Sequence, residues 1–129
     1  MKKLLPLVLS LLLATVAWAN SAKYADISET ELKAAIANKS AVILDANGSD
    51  SYKTGHIPGA IDFAAHKSQL ASLLPADKHA LVVAYCGGPQ CVAYAEAAKA
   101  AVALGYTNVK HFTPGISGWV KSGAPVEKN

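Results

Sequence analysis

Cys86 and Cys91 are the only thiols in this chain of 129 residues, and they bracket the segment Cys86-Gly87-Gly88-Pro89-Gln90-Cys91. Cys86 stands directly after the apolar run Ala80-Leu81-Val82-Val83-Ala84-Tyr85 and ahead of the alanine-rich stretch from Val92 to Leu104. The first reads as a strand buried on both faces and the second as a helix. A residue between a strand end and a helix start occupies the place where open α/β sheets bind ligands. The helix N-terminus offers unpaired N–H groups and partial positive charge, which favour a thiolate, the nucleophilic form of cysteine. Gly87 and Gly88 can adopt positive φ values, so the backbone N–H groups of Gly87, Gly88, Gln90, Cys91 and Val92 are candidates for an anion-binding nest around the Cys86 sulfur. Pro89 has no N–H to contribute. The competing reading makes Cys86 a buried, inert cysteine at a strand end. Two glycines and a proline in succession argue against that, because a merely structural strand end does not call for them.

Cys91 has two readings of equal weight. It could resolve an oxidised or sulfur-bearing Cys86 through a disulfide, as a redox partner, or it could fill the first turn of the helix as a small apolar residue. A bond between the two requires Cα atoms within ~7 Å, and the ring it closes is too short to constrain the unfolded chain as a long-range bridge would.

The elements that must position this loop follow from pattern. Ser28-Glu29-Thr30-Glu31 has the form of a capping box, and Leu32, Ala35 and Ile36 continue at helical spacing, predicting a helix over 29–38. Ala41-Val42-Ile43-Leu44 is a second apolar strand, ending at Asp45. A short helix around Asp50 to Lys53, a turn at Gly55 to Gly59, a short strand at 60–62 and a helix over 67–74 come next. After the helix over 92–104, Gly105 sits where a left-handed C-terminal cap is expected. A strand over 108–112 and a helix over 115–121 complete the order, and Gly123-Ala124-Pro125 ends the packing. Alternating strands and helices predict an α/β fold with a parallel sheet.

The N-terminus has the layout of a cleaved secretory signal: Met1-Lys2-Lys3, an apolar stretch to Val16, then Ala17-Trp18-Ala19. The stretch is shorter than the ~20 apolar residues of a spanning helix. Residues 1–19 are therefore expected to be a cleaved signal peptide and residues 20–129 a single domain, periplasmic or secreted, with no membrane association after cleavage. Without Lys2 and Lys3 the domain carries 10 lysines against 9 acids, a balance that does not suit nucleic acid. All 12 basic residues of the chain are lysine, so bidentate anion recognition by arginine is excluded. An exported chain with two cysteines also makes a disulfide plausible, since such compartments are oxidising.

Taken together, four segments resemble the rhodanese family of sulfurtransferases, and the likeness covers nearly all of residues 20–129. They are Leu44-Asp45; Tyr52-Lys53-Thr54-Gly55-His56-Ile57-Pro58-Gly59-Ala60-Ile61; Tyr85-Cys86; and Gly105-Tyr106-Thr107-Asn108-Val109 followed by Gly115-Ile116-Ser117-Gly118-Trp119. The resemblance implies a three-layer fold with a central, mainly parallel sheet of about five strands flanked by helices. It implies that Cys86 is a catalytic sulfur carrier, taking a sulfane sulfur from a small donor as a persulfide and passing it to a thiol or other nucleophile, with no metal or organic cofactor. It also implies a loop that often ends in arginine, where this chain has Cys91. Phosphatase relatives carry arginine at the position of Val92, and many relatives carry arginine at the position of Asn47. These departures speak against phosphate and arsenate chemistry and weaken the case for thiosulfate. Two alternatives stand beside sulfur transfer: a thiol-disulfide redox protein using Cys86 and Cys91, and a binding module that kept the fold without the chemistry.

Other polar residues read as structural. Asp45 is expected to cap the turn after its strand, His56 to bond nearby backbone, and Trp119 and Tyr106 to form core or pocket wall. His66, His79 and His111 lack metal-ligand spacing, so no metal site is assigned.

Overall fold

The computed structural model of the chain describes residues 24–129, and the expected signal segment lies outside them. In chain order the elements are β1 (Ala25–Asp26), α1 (Glu29–Ala37), β2 (Ala41–Asp45), α2 (Ser49–Thr54), β3 (Ile61–Asp62), α3 (Phe63–His66), a 3-10 turn (Lys67–Gln69), α4 (Leu70–Leu73), β4 (Leu81–Tyr85), α5 (Tyr94–Ala103), β5 (Val109–His111) and α6 (Gly115–Lys121). All strand pairs are parallel, in the order β1-β5-β4-β2-β3. This is the α/β architecture that the alternation of elements implies.

Side chains on successive strand residues point to opposite faces, so a strand covered on both faces must be apolar throughout. In β4, Val82 and Ala84 enter one core with Leu44, Phe63, Leu70 and the α5 alanines Ala97, Ala98 and Ala101. Val83 and Tyr85 enter the other, with Leu32 of α1, Ile57, Phe112 and Trp119 of α6. Small residues on α5 let that helix lie close to the sheet, while the opposite face is filled by larger side chains. From β2 the chain moves outward to β3, and from β4 it moves to β5 on the other side. The C-terminal ends of β2 and β4 therefore form the switch point of the sheet, and Cys86 follows β4 there.

The capping box forms: Glu31 N–H donates to Ser28 Oγ at 3.1 Å and Ser28 N–H donates to the Glu31 carboxylate at 3.2 Å. Gly105 takes φ +97° after α5, as a left-handed cap requires.

Four local expectations are corrected. The helix expected over 67–74 begins at Phe63, because Asp62 Oδ1 accepts from Ala65 N–H, and it is broken into three single turns. Only Phe63, Leu70 and Leu74 are buried in it, too few anchors to hold one continuous helix. The helix expected from Val92 begins at Tyr94; its cap position is Ala93, which has no side-chain acceptor, and its first N–H groups close tighter i→i−3 bonds. β1 was not anticipated, because two exposed residues carry no periodicity, and it exists only through its pairing with β5. The packing also continues past Pro125: Glu127 forms an antiparallel bridge with His56, with N···O distances of 2.9 and 3.0 Å.

Since the Ser28 hydroxyl satisfies a helix N–H that otherwise has no partner, Ser28→Ala should lower stability by about 1 kcal/mol, read from the urea midpoint with an unchanged slope.

Candidate functional site

A buried polar chain forms the floor of the switch point. Asp45 is fully buried; its Oδ1 accepts from Asn47 N–H at 2.8 Å, and its Oδ2 accepts from the Tyr85 hydroxyl. The same hydroxyl accepts from Ile57 N–H at 3.0 Å. The ends of β2 and β4 and the turn that leads into β3 are thereby tied to one carboxylate. Burial pushes the Asp45 carboxyl up, opposed by the hydrogen bonds from Tyr85 and Asn47. Burial, then the neighbouring Asp45 charge, push the Tyr85 phenol up, so it remains a donor at any ordinary pH.

Above this floor, Cys86 is 1% exposed and Cys91 is half-buried, and the two form a disulfide with a Cα separation of 6.2 Å. Of the two readings of Cys91, the structure has the bonded one. The loop between them contains a turn in which Cys91 N–H donates to Gly88 O at 3.1 Å, so this N–H is withdrawn from the expected nest. The N–H groups of Gly87, Gly88, Gln90 and Val92 take no protein acceptor among the described residues.

The reason for glycine in this region differs from the expected one. Neither Gly87 nor Gly88 has positive φ, and a Cβ on either would meet nothing closer than 3.7 Å. The tight position is Gly115, at φ +62°, where a Cβ would lie 2.5 Å from Cys86 O, 2.6 Å from Gly88 N and 2.7 Å from Gly87 C. That close approach lets the first turn of α6 seize the loop: Ile116 N–H donates to Cys86 O at 2.9 Å and Ser117 N–H to Gly87 O at 3.0 Å. The α6 N-terminus therefore holds the loop carbonyls, while the N-terminus of α5 begins eight residues after Cys86. Gly115-Ile116-Ser117 belongs to the C-terminal signature segment, but nothing in that pattern shows that its N–H groups grip the loop. The positive φ at Gly115 and its contact with a segment nearly thirty residues earlier leave no local trace.

A second feature absent from the sequence reading is a cleft of about 250 Å³ beside the loop, lined by Cys91, Pro89, Tyr94, Asp26, His111 and Thr113, among others. Cys86 does not line it. His111, 7% exposed, stacks on Tyr94 with ring centroids 3.3 Å apart. Thr113 Oγ1 donates to Asp26 Oδ1 at 2.6 Å and lies 3.3 Å from His111 Nδ1. Burial lowers the His111 pKa, opposed by Asp26.

The remaining residues singled out from sequence lie in the framework. His56 is buried, with Nδ1 2.7 Å from Tyr52 O and its ring stacked on Tyr52 at 3.7 Å. The Trp119 indole N–H donates to Pro125 O at 2.6 Å, and its ring packs edge-on against Phe112. Asn47 lies next to the loop, its Oδ1 3.7 Å from where a Gly87 Cβ would be. Among the described residues no group of three or more His, Cys, Asp or Glu is placed to hold a metal ion, and no helix is long and apolar enough to cross a membrane.

Comparison with known proteins places the chain in context. The family model described as the rhodanese-like domain matches residues 28–122. Thiosulfate sulfurtransferase from Pseudomonas aeruginosa superposes with a TM-score of 0.64 at 28% identity, over 81% of this chain and 20% of that one. A human single-domain sulfurtransferase superposes with a TM-score of 0.57 at 22% identity, over 74% of this chain and 95% of that one, a likeness of fold. Among curated proteins, the HTH-type transcriptional regulator Rv0324 of Mycobacterium tuberculosis is 33% identical over 87 residues, 67% of this chain. The chain spans 37% of the length of that regulator.

Two outcomes follow from this geometry. Gly115→Ala combines a left-handed backbone with a clash against the loop and should cost about 2–4 kcal/mol in urea unfolding. The control Gly123→Ala, at φ +82° with open space around the added methyl, should cost only about 1 kcal/mol. The second concerns pH. Folded His111 has its pKa below the ordinary 6.5, so below that pH the unfolded chain binds a proton that the folded chain does not. Stability should therefore fall as pH drops through 6.5, and the urea midpoint should fall less in His111→Asn than in the unsubstituted chain.

Proposed function

Because this chain belongs to the rhodanese-like domain family, we propose that it is a sulfurtransferase or persulfide carrier that moves a sulfane sulfur through Cys86 to a thiol or other nucleophilic acceptor. The observation that carries this reading is the setting of Cys86: at the end of the central strand β4, first in a loop whose carbonyls are held by α6 and whose free N–H groups remain for an anion. The structural likeness to a thiosulfate sulfurtransferase supports it.

The disulfide form cannot accept sulfur, because the Cys86 sulfur is already bonded to Cys91. Once reduced, the Cys86 thiolate attacks the outer, sulfane sulfur of a donor. A new S–S bond forms, and the donor leaves with the electron pair of its broken bond, as a sulfinate or a shorter polysulfide. An acceptor thiolate then attacks the terminal sulfur of the persulfide, takes it, and restores the Cys86 thiolate. N–H groups of Gly87, Gly88, Gln90 and Val92 are the available stabilisers of the charged terminal sulfur, by the logic of an oxyanion hole. With no arginine in the chain, donors that need a bidentate cation are disfavoured, which points to polysulfides or thiosulfonates ahead of thiosulfate. Export after cleavage at Ala19 belongs to the same proposal, since a disulfide persists where thiols are not kept reduced.

A second reading, a thiol-disulfide redox protein cycling between Cys86 and Cys91, is favoured by the bond itself.

Intact mass separates the two readings. Reduced protein treated with polysulfide or a thiosulfonate should gain one sulfur atom, Cys91→Ser should load without prior reduction, and Cys86→Ser should gain none. Oxidation to the disulfide with no sulfur gain from any donor would leave the redox reading in place of sulfur transfer.

A further inference from the structure

The two sulfurs of the disulfide sit in unequal surroundings. Cys86 is 1% exposed, whereas Cys91 is half-buried and lines the cleft with Asp26, Tyr94, His111 and Thr113. A thiolate opens a disulfide by bonding to one sulfur and expelling the other, so access decides which cysteine is attacked. The same asymmetry suits the leaving group, because the expelled sulfur should be the one that the surroundings stabilise as a thiolate. Cys86 starts the loop in which the N–H groups of Gly87, Gly88, Gln90 and Val92 take no protein acceptor among the described residues.

One residue of the cleft lining, His111, has a ring nitrogen with nothing to bind. Thr113 spends its hydroxyl proton on Asp26, so its oxygen can only accept from the ring nitrogen 3.3 Å away. This arrangement puts the imidazole proton on His111 Nδ1 and leaves a lone pair on Nε2. Nε2 is buried and has no hydrogen-bond partner among the described residues. Asp26 is the charged group beside the ring, 4.0 Å from Nδ1, and Tyr94 of α5 covers its face. A buried acceptor without a donor carries a free-energy cost that a ligand donor would relieve.

We propose that this cleft is a binding site for a reducing thiol, which attacks Cys91 and expels Cys86 as a thiolate, while His111 Nε2 takes the proton of the incoming thiol. In the first step the thiol proton moves to Nε2, a bond forms between the incoming sulfur and Cys91 Sγ, and the Cys86–Cys91 bond breaks with its electron pair on Cys86. In the second step another thiol, or the second arm of a dithiol, attacks the added sulfur. It gives its own proton to solvent and leaves as a disulfide with the first, while Cys91 departs and takes up the proton held by the imidazolium. The thiol pair is oxidised by two electrons and the protein disulfide is reduced by two. Reduction is thus directed so that Cys86 is freed first, a property that rests on the sulfur-carrier reading only for the use made of that thiolate.

The test uses the oxidised chain and 2-mercaptoethanol as the probe thiol. Brief exposure, acid quench, alkylation and peptide mapping should place the mercaptoethanol adduct on Cys91 and the alkyl group on Cys86. His111→Asn, which keeps an N–H donor near the Nδ1 position and removes Nε2, should slow opening by the thiol about tenfold or more near pH 6.5. Opening by a phosphine, which has no proton to surrender, should be unchanged. An adduct on Cys86 overturns the proposal, as does equal thiol reactivity of the two proteins or equal slowing with both reductants, the mark of a merely structural role. Sulfur loading of fully reduced protein bypasses this step, so failure of the sulfur-carrier reading and failure of this inference appear in different measurements.

Discussion

The first turn of α6 and the loop after β4 approach so closely that no side chain fits between them. With a Cβ at Gly115 the Cys86 carbonyl would be 2.5 Å away, yet it is this approach that brings the N–H groups of Ile116 and Ser117 onto the carbonyls of Cys86 and Gly87. A backbone has a donor and an acceptor at nearly every residue, and tying down the acceptors turns the remaining donors elsewhere. The loop is therefore shaped from outside itself. Phe112 and Trp119, packed edge to face in the core, seat the segment that carries Gly115.

Beneath the loop, the buried Asp45 carboxylate performs a related task with side chains. Left unpaired, a buried charge would be strongly destabilising; here the Tyr85 hydroxyl and the Asn47 N–H satisfy it, and Tyr85 in turn receives Ile57 N–H. The ends of β2 and β4 and the turn before β3 are held in one register by a single polar chain. Cys86 follows Tyr85 directly, so the residue that anchors the floor also sets where the sulfur begins. A site built this way needs no arginine to be orderly, which fits a chain whose cations are all lysine.

The disulfide gives this loop two chemical states. Bonded, the Cys86 sulfur is buried and its electrons are committed; reduction would free it at the head of a loop in which the N–H groups of Gly87, Gly88, Gln90 and Val92 take no protein acceptor among the described residues. Pro89 and the turn from Gly88 to Cys91 keep the second cysteine outside α5, within reach of the first and open to the neighbouring cleft. Family membership and a sulfurtransferase-type fold thus coexist with a loop whose two cysteines are bonded to each other.

How much of this was legible beforehand depends on range in the chain. Continuous apolar runs marked β2 and β4, the Ser28 and Glu31 pair marked the start of α1, and the order of elements marked a parallel α/β sheet, because each is a statement about residues a few positions apart. The position of Cys86 between a strand end and a glycine-rich turn was equally local. What only tertiary structure decided involves partners far apart in sequence: the two-residue β1, the grip of Gly115 on the loop, the joining of Tyr85 to Asp45, and the meeting of Asp26, His111 and Thr113 beside Cys91. The expected role of Gly87 and Gly88 shows the boundary well. Glycine announces that backbone freedom or space is wanted, but which glycine meets the obstruction depends on what packs against it, and that neighbour came from α6.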